Sequence, residues 1–200
     1  MAGVKGQVQR RGVERRKAIV QAALDLFTLR GARGTSIADI ADRVGISAPA
    51  VLHHFGTKND LLLAVVEERD RRGETPFMEL MGDGGLEGLA RMVEAAHSYE
   101  AERGLMSCYV VLEAENLQEG DVAHDYFVQR AEVLRAVMAD CVRKGQARGE
   151  IRSDVDAEAK AAEIVAFMSG AAVQWALDER LSLSGMYRSY IDMVIRDLAA

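Results

Sequence analysis

The stretch from Ser36 to Lys58 carries the clearest chemistry in this 200-residue chain. Ser47 is followed by Ala48, Pro49 and Ala50, and then by His53 and His54, with nothing bulky or acidic on that side. On a short helix these residues make a smooth outer edge that can exchange hydrogen bonds. The major groove of duplex DNA accepts an element of that kind. Two adjacent histidines also raise a metal site, but they point in different directions and lack further ligands nearby. A second group, His97, Tyr109 and Glu113, could do acid–base work or orient a polar or cationic ligand. Tyr109 and Glu113 lie four apart and share a face with Met106. No nucleophile elbow, phosphate loop or metal spacing accompanies them. An all-helical enzyme is therefore the rival function, and a weaker one.

The elements around the first group follow from its spacing. Ile37, Ile40, Ala41 and Val44 fall at i, i+3, i+4 and i+7, one face of a helix. Gly45 supplies the left-handed exit, and Ser47 caps a second helix, Ala48 to Phe55, with Val51, Leu52 and Phe55 available for packing. Ser36 with Asp39 forms a capping box with Asp in place of Glu, and Thr57 with Asp60 repeats it before Lys58. Helix, glycine turn and helix make a helix-turn-helix. Ahead of it, Ile19, Ala22, Ala23, Leu26 and Phe27 predict a helix from about Val13 to Arg30. Behind it, a helix from Lys58 runs through Leu61, Leu62, Val65 and Val66 and stops before Gly73 and Pro76. Roughly 15 residues at 1.5 Å each make that helix a connector between domains.

Charge separates the chain into two parts. The net charge is −6. Residues 1–60 hold 10 Lys/Arg against 5 Asp/Glu, and residues 61–200 hold 15 against 26. A basic head on an acidic body suits local attraction to phosphate, although a solvated arm before a first helix would read the same way from charge alone. The chain is 49% hydrophobic with 2 prolines, enough for a helical core. No run of 18 apolar residues predicts a membrane span, and the basic N-terminus lacks the apolar stretch of a signal peptide. These features predict a soluble, cytoplasmic protein that needs no cofactor or metal. Cys108 and Cys141 fit no metal or redox spacing and are expected as buried apolar residues.

The rest of the chain reads as helices in an all-α fold of about nine. The segment GDGG at 82–85 is a loop. Beyond it come helices at about Leu86–Arg103, Leu105–Leu117, Gly120–Lys144, Asp156–Asp178 and from Ser184 onward. The plausible lining of a ligand pocket is Phe77, Met81, Met92, His97, Met106, Tyr109, Glu113, Tyr126, Phe127, Met168 and Trp175. The helix at 156–178 is apolar almost all round, so it must be covered on more than one side. The last two helices are expected to form a four-helix interface with a second copy. The expected residues are Ala161, Ile164, Val165, Met168, Ala171, Ala172, Tyr187, Tyr190, Ile191, Val194 and Ile195, with Gly170 permitting close approach. The alternative is that the eighth helix is the central core helix of a monomer.

The run GISAPAVLHHFGTKNDLL, preceded by RGARGTSIADIADRV, closely resembles the TetR family of bacterial transcriptional repressors, over about residues 13–66. The resemblance implies a DNA-binding domain at 1–57, with a basic arm at 1–12, and a ligand-binding and dimerisation domain at 58–200. It implies a homodimer on a palindromic operator, released by a small-molecule inducer, or an activator of the same architecture. By position, Ser36, Thr57 and Lys58 match phosphate contacts, Thr57 and Lys58 forming a clamp at a helix start. Ser47, Ala48, Pro49 and Ala50 match the turn that meets base edges, and His53 and His54 match its far end. Leu52 stands where many members have a tyrosine, which removes one phosphate bond. Two-fold symmetry predicts recognition helices spaced about 34–36 Å apart or a multiple of that.

Overall fold

The computed structural model describes the backbone of residues 2–101 and 103–200, and the side chains of 11–68, 71, 77–101 and 103–200. Among the described residues there are nine α-helices. They are α1 (Ala2–Arg30), α2 (Ile37–Val44), α3 (Ala48–Phe55), α4 (Lys58–Met81), α5 (Gly85–Ala101), α6 (Arg103–Glu115), α7 (His124–Ala147), α8 (Ala157–Leu177) and α9 (Leu183–Leu198). An antiparallel bridge between Ile151 and Ala199 ties the α7–α8 connection to the end of the chain. No helix among the described residues is long and apolar enough to cross a membrane.

Three elements differ from the sequence expectation. The backbone expected as an arm at 1–12 is helical from Ala2, although the side chains at 1–10 lie outside the described residues. The helix from Lys58 does not stop before Gly73 and Pro76 but continues to Met81. Phe77 and Met81 are both buried, and burying two large apolar side chains contributes about 3–6 kcal/mol. That offsets the ~3 kcal/mol an interior proline costs. The third difference is the start of α7. Residues 117–123 form turns instead, with Asp121 N donating to Gln118 O (3.0 Å) and His124 N to Asp121 O (3.1 Å).

The apolar side chains make two cores. One gathers Ile19, Ala23 and Phe27 of α1, Ile40 of α2, Val51 and Phe55 of α3, and Leu61 and Val65 of α4. It also takes in Cys108 and Leu112 of α6 and Phe127 of α7. The other holds Phe77 and Met81 with Leu89, Met92, Met138, Val142, Ile164 and Ile191. Thus α4 passes from one core into the other, and the head's core draws on residues far beyond position 57. Burial pushes the Cys108 thiol up to about 12 and Cys141 up to about 11, so both stay neutral, unreactive thiols.

Phe27 is wholly enclosed in the shared core. Phe27→Ala should cost about 3–5 kcal/mol in urea unfolding. A loss below about 1 kcal/mol would show that this core does not hold the head.

Candidate nucleic-acid interface and ligand cavity

Two capped helix starts and a glycine turn position the first site. At Gly45 the chain takes φ +71°, and its N–H reaches back to Ala41 O and Asp42 O, closing α2 in the left-handed conformation that glycine adopts most cheaply. Ser47 accepts from Ala50 N and opens α3. Val51 and Phe55 are buried beneath α3, and the Arg16 guanidinium lies 4.7 Å from the Phe55 ring centre. Pro49 and His53 are exposed, Ala48, Ala50 and His54 half-exposed. Leu52, expected to pack inward, is instead 39% exposed beside them. Ile46 and Val51 already fill the space on the inner side. The two histidine rings meet edge-on, 6.0 Å apart, and no group of three His, Cys, Asp or Glu among the described residues could hold a metal.

The two capping boxes constrain the chemistry of the helix starts. Ser36 Oγ donates to Asp39 Oδ2 (2.6 Å) while accepting from Asp39 N (3.1 Å). Thr57 Oγ1 and Asp60 repeat this at 2.6 and 3.1 Å. Each hydroxyl proton is therefore already committed to a neighbouring carboxylate. An anion approaching α4 meets free backbone N–H groups and the half-buried Lys58 rather than the Thr57 proton.

In the C-terminal half, a cavity of about 60 Å³ lies among α5, α6, α7, α8 and α9. Of the residues expected to line a pocket, Met106, Tyr109, Glu113 and Met168 do so. Phe77, Met81, Met92 and Trp175 are spent on the C-terminal core, and Tyr126 and Phe127 pack with the head. His97 faces solvent, 3.3 Å from Glu100. On α5 the buried phase runs Leu89, Met92, Ala95 and Ala96, so Tyr99, not His97, comes round to the cavity. The three residues of the enzyme alternative are thus not brought together.

Sequence reasoning missed Tyr99, Tyr187 and above all Arg130, which is buried against the cavity. The signal for Arg130 was its place on the apolar stripe of α7 with Phe127 and Leu134. The expected dimer residues also need correction. Ala161, Ile164, Val165, Ala171, Tyr187, Ile191 and Val194 are buried within one subunit, leaving almost no surface for a partner. Met168, Ala172, Tyr190 and Ile195 are half-buried, and Tyr190 stacks on Phe167 at 3.8 Å. The open face of α8 is the complementary stripe, Ala162, Ala166, Gly170, Val173 and Leu177, and on α9 Met193 is exposed as well.

A capped, exposed α3 over a helical body with a cavity defines a helix-turn-helix DNA-binding protein. The chain belongs to the tetR family of bacterial regulatory proteins. That family's profile matches residues 19–65, and the tetracyclin repressor-like C-terminal domain matches residues 85–189. The regulator SrpR of Pseudomonas putida is 26% identical over 72% of this chain, and the match spans only 66% of that relative. The repressor AcnR of Corynebacterium jeikeium is 28% identical over 78% of this chain and 79% of its own. A TetR regulator from Chloroflexus aurantiacus shares the fold at a TM-score of 0.81, with 24% identity over 95% of this chain and 98% of its own.

Hydrogen bonds from the Ser36 side chain and backbone hold the Asp39 carboxyl below the usual carboxylate range, against desolvation and with help from Arg30 and Lys58. The stabilisation is complete above the ordinary carboxylate value and disappears as pH falls through Asp39's lowered one. Thermal melts should therefore show wild type ahead of Asp39→Ala at pH 7, with the gap closing in acid. A gap of constant size would mean that the box does not titrate.

Proposed function

We propose that the protein is a homodimeric transcriptional repressor that binds an approximately palindromic operator and lets go when a small molecule occupies the C-terminal cavity. Exposure of Pro49 and His53 on the outer edge of α3, between two capped helix starts, is the observation that supports it best. AcnR, which matches most of this chain, is named a repressor. In this reading Ser47, Ala48, Pro49, Ala50, His53 and His54 meet the groove. Lys58 faces a phosphate, Ser36 and Thr57 serve the phosphates by fixing the helix starts whose backbone N–H groups bind them, and residues 1–57 and 58–200 divide the work between DNA and ligand. The protein acts where the DNA is, in the cytoplasm.

Two copies associate through the open stripe of α8 and the neighbouring edge of α9. Small residues at 162, 166 and 170 allow close approach, and Val173, Leu177 and Met193 supply apolar area. The cavity is far below the ~300–1,000 Å³ of a typical ligand site, so a ligand has to open it. Its lining suits a compact apolar molecule with a polar end, held by the tyrosines, Glu113 and Arg130. A coupling of about 1–3 kcal/mol would lower DNA affinity about 5–150-fold.

Gel shifts with DNA from upstream of the gene test the central reading. A specific, competable complex is expected, weakened ~10³–10⁵-fold between roughly 50 and 200 mM salt if about 6–10 phosphates are contacted. Lys58→Ala should lose the complex while keeping fold and dimer. Absence of any competable complex with wild type would refute the reading.

Gly170→Arg tests the interface. A Cβ at Gly170 meets nothing within 4 Å in one subunit, so the longer side chain obstructs only a partner. Light scattering should report a folded monomer. A dimer of wild-type strength would move the interface elsewhere.

A further inference from the structure

The helix α6 has two working faces. Met106, Tyr109, Val110 and Glu113 line the cavity on one. Cys108, Leu112 and Glu115 fall at i, i+4 and i+7 on the other, where Cys108 and Leu112 join the core of the head. Glu113 and Glu115, two positions apart on a helix of 3.6 residues per turn, point to nearly opposite sides. We infer that Glu115 is a positioning residue that clasps the α1–α2 turn and makes α6 an arm through which the cavity acts on the recognition helix. The link to the cavity rests on the ligand-released reading above.

The clasp is closed from several directions. Glu115 Oε2 accepts from Ala32 N at 2.7 Å, a charge-assisted bond to a backbone group just past the end of α1. At Gly31 the chain takes φ +69°, and a Cβ there would collide with Glu115 Oε1. Arg33 Nη2 donates to Glu115 O (2.8 Å) and lies 3.4 Å from Asp121 Oδ1. One turn back on α1, the Thr28 hydroxyl donates to Leu24 O at 2.8 Å and packs against the start of α6, with Gly104 O 3.1 Å from Oγ1. From the clasped turn, Thr35 Oγ1 returns to Gly31 O (2.9 Å), and the next residue, Ser36, caps α2. The place where α2 begins, and with it the setting of α3, is thereby referred to the end of α6.

The mechanical consequence follows from packing. With only about 60 Å³ free, anything larger must displace a wall of the cavity. The far side of α6 is already packed against α1, and close-packed helices shift as units rather than absorb strain locally. Displacement of α6 therefore pulls on residues 31–33. Ala32 and Arg33 border the same groove as Lys58 and Asn59, at the start of α4.

The test uses hydrogen exchange of the full-length protein, without DNA, on peptides covering residues 28–36. Ala131→Leu, which adds bulk to the cavity from α7, stands in for a ligand, with Ala131→Val if the larger side chain lowers the melting temperature sharply. Exchange over 28–36 should accelerate in Ala131→Leu and in Glu115→Ala, with no further increase in the double variant. Glu115→Gln, which keeps the acceptor, should stay near wild type. Unchanged exchange in Glu115→Ala, or full additivity in the double variant, overturns the proposal. Operator affinity of the same variants should fall about 5–150-fold, again without summing. If wild type binds no specific DNA, the repressor reading fails while the exchange data still decide the clasp.

Discussion

The packing of α6 against α1 is the constraint on which the rest depends. Cys108 and Leu112 belong by sequence to the C-terminal half, yet they are buried in one core with Ile19, Phe27, Ile40 and Val51. A side chain the size of leucine, wholly removed from water, contributes about 1.5–3 kcal/mol. A few such residues outweigh any single polar contact at the junction. The head is consequently not a bead on a flexible string. Its position is set by α4, which spans both cores, and by α6, whose other face looks into the cavity.

Electrostatics then shape what the head can do. The basic side chains at Arg11, Arg15, Arg16 and Lys17 are exposed, while the acidic excess lies in the body. Long-range attraction to a polyanion is thus concentrated at one end, and the remainder is held off. At close range the design is less obvious. Ser36 and Thr57 spend their protons on Asp39 and Asp60, so the helix starts are rigid before any DNA arrives. Rigid starts reduce the ordering that binding must impose.

The helix-turn-helix was legible because its determinants are local: a period of 3.6, two capping boxes and a glycine at the turn. Those signals act within four residues and hold in any context. What the chain hid was tertiary. Pro76 reads as a stop, but burial of Phe77 and Met81 carries α4 past it. Ile164, Tyr187 and Ile191 read as partner-facing because they are apolar, yet an apolar side chain can be buried only once, and the subunit's own core takes these first. The stripe left exposed on α8 is rich in alanine and glycine, which hydrophobicity marks weakly. His97 against Tyr99 was an error of phase on α5. Arg130 was visible as a charge on an apolar stripe, though nothing local says that such a residue faces a cavity rather than a surface.

Ethylation interference on the DNA upstream of the gene tests the central claim most directly, because it maps each phosphate that a bound protein needs. Two clusters of sensitive phosphates, related by two-fold symmetry and centred about 34–36 Å or a multiple of that apart, are what paired α3 helices require. A single asymmetric cluster, or interference spread evenly along the duplex, would contradict it.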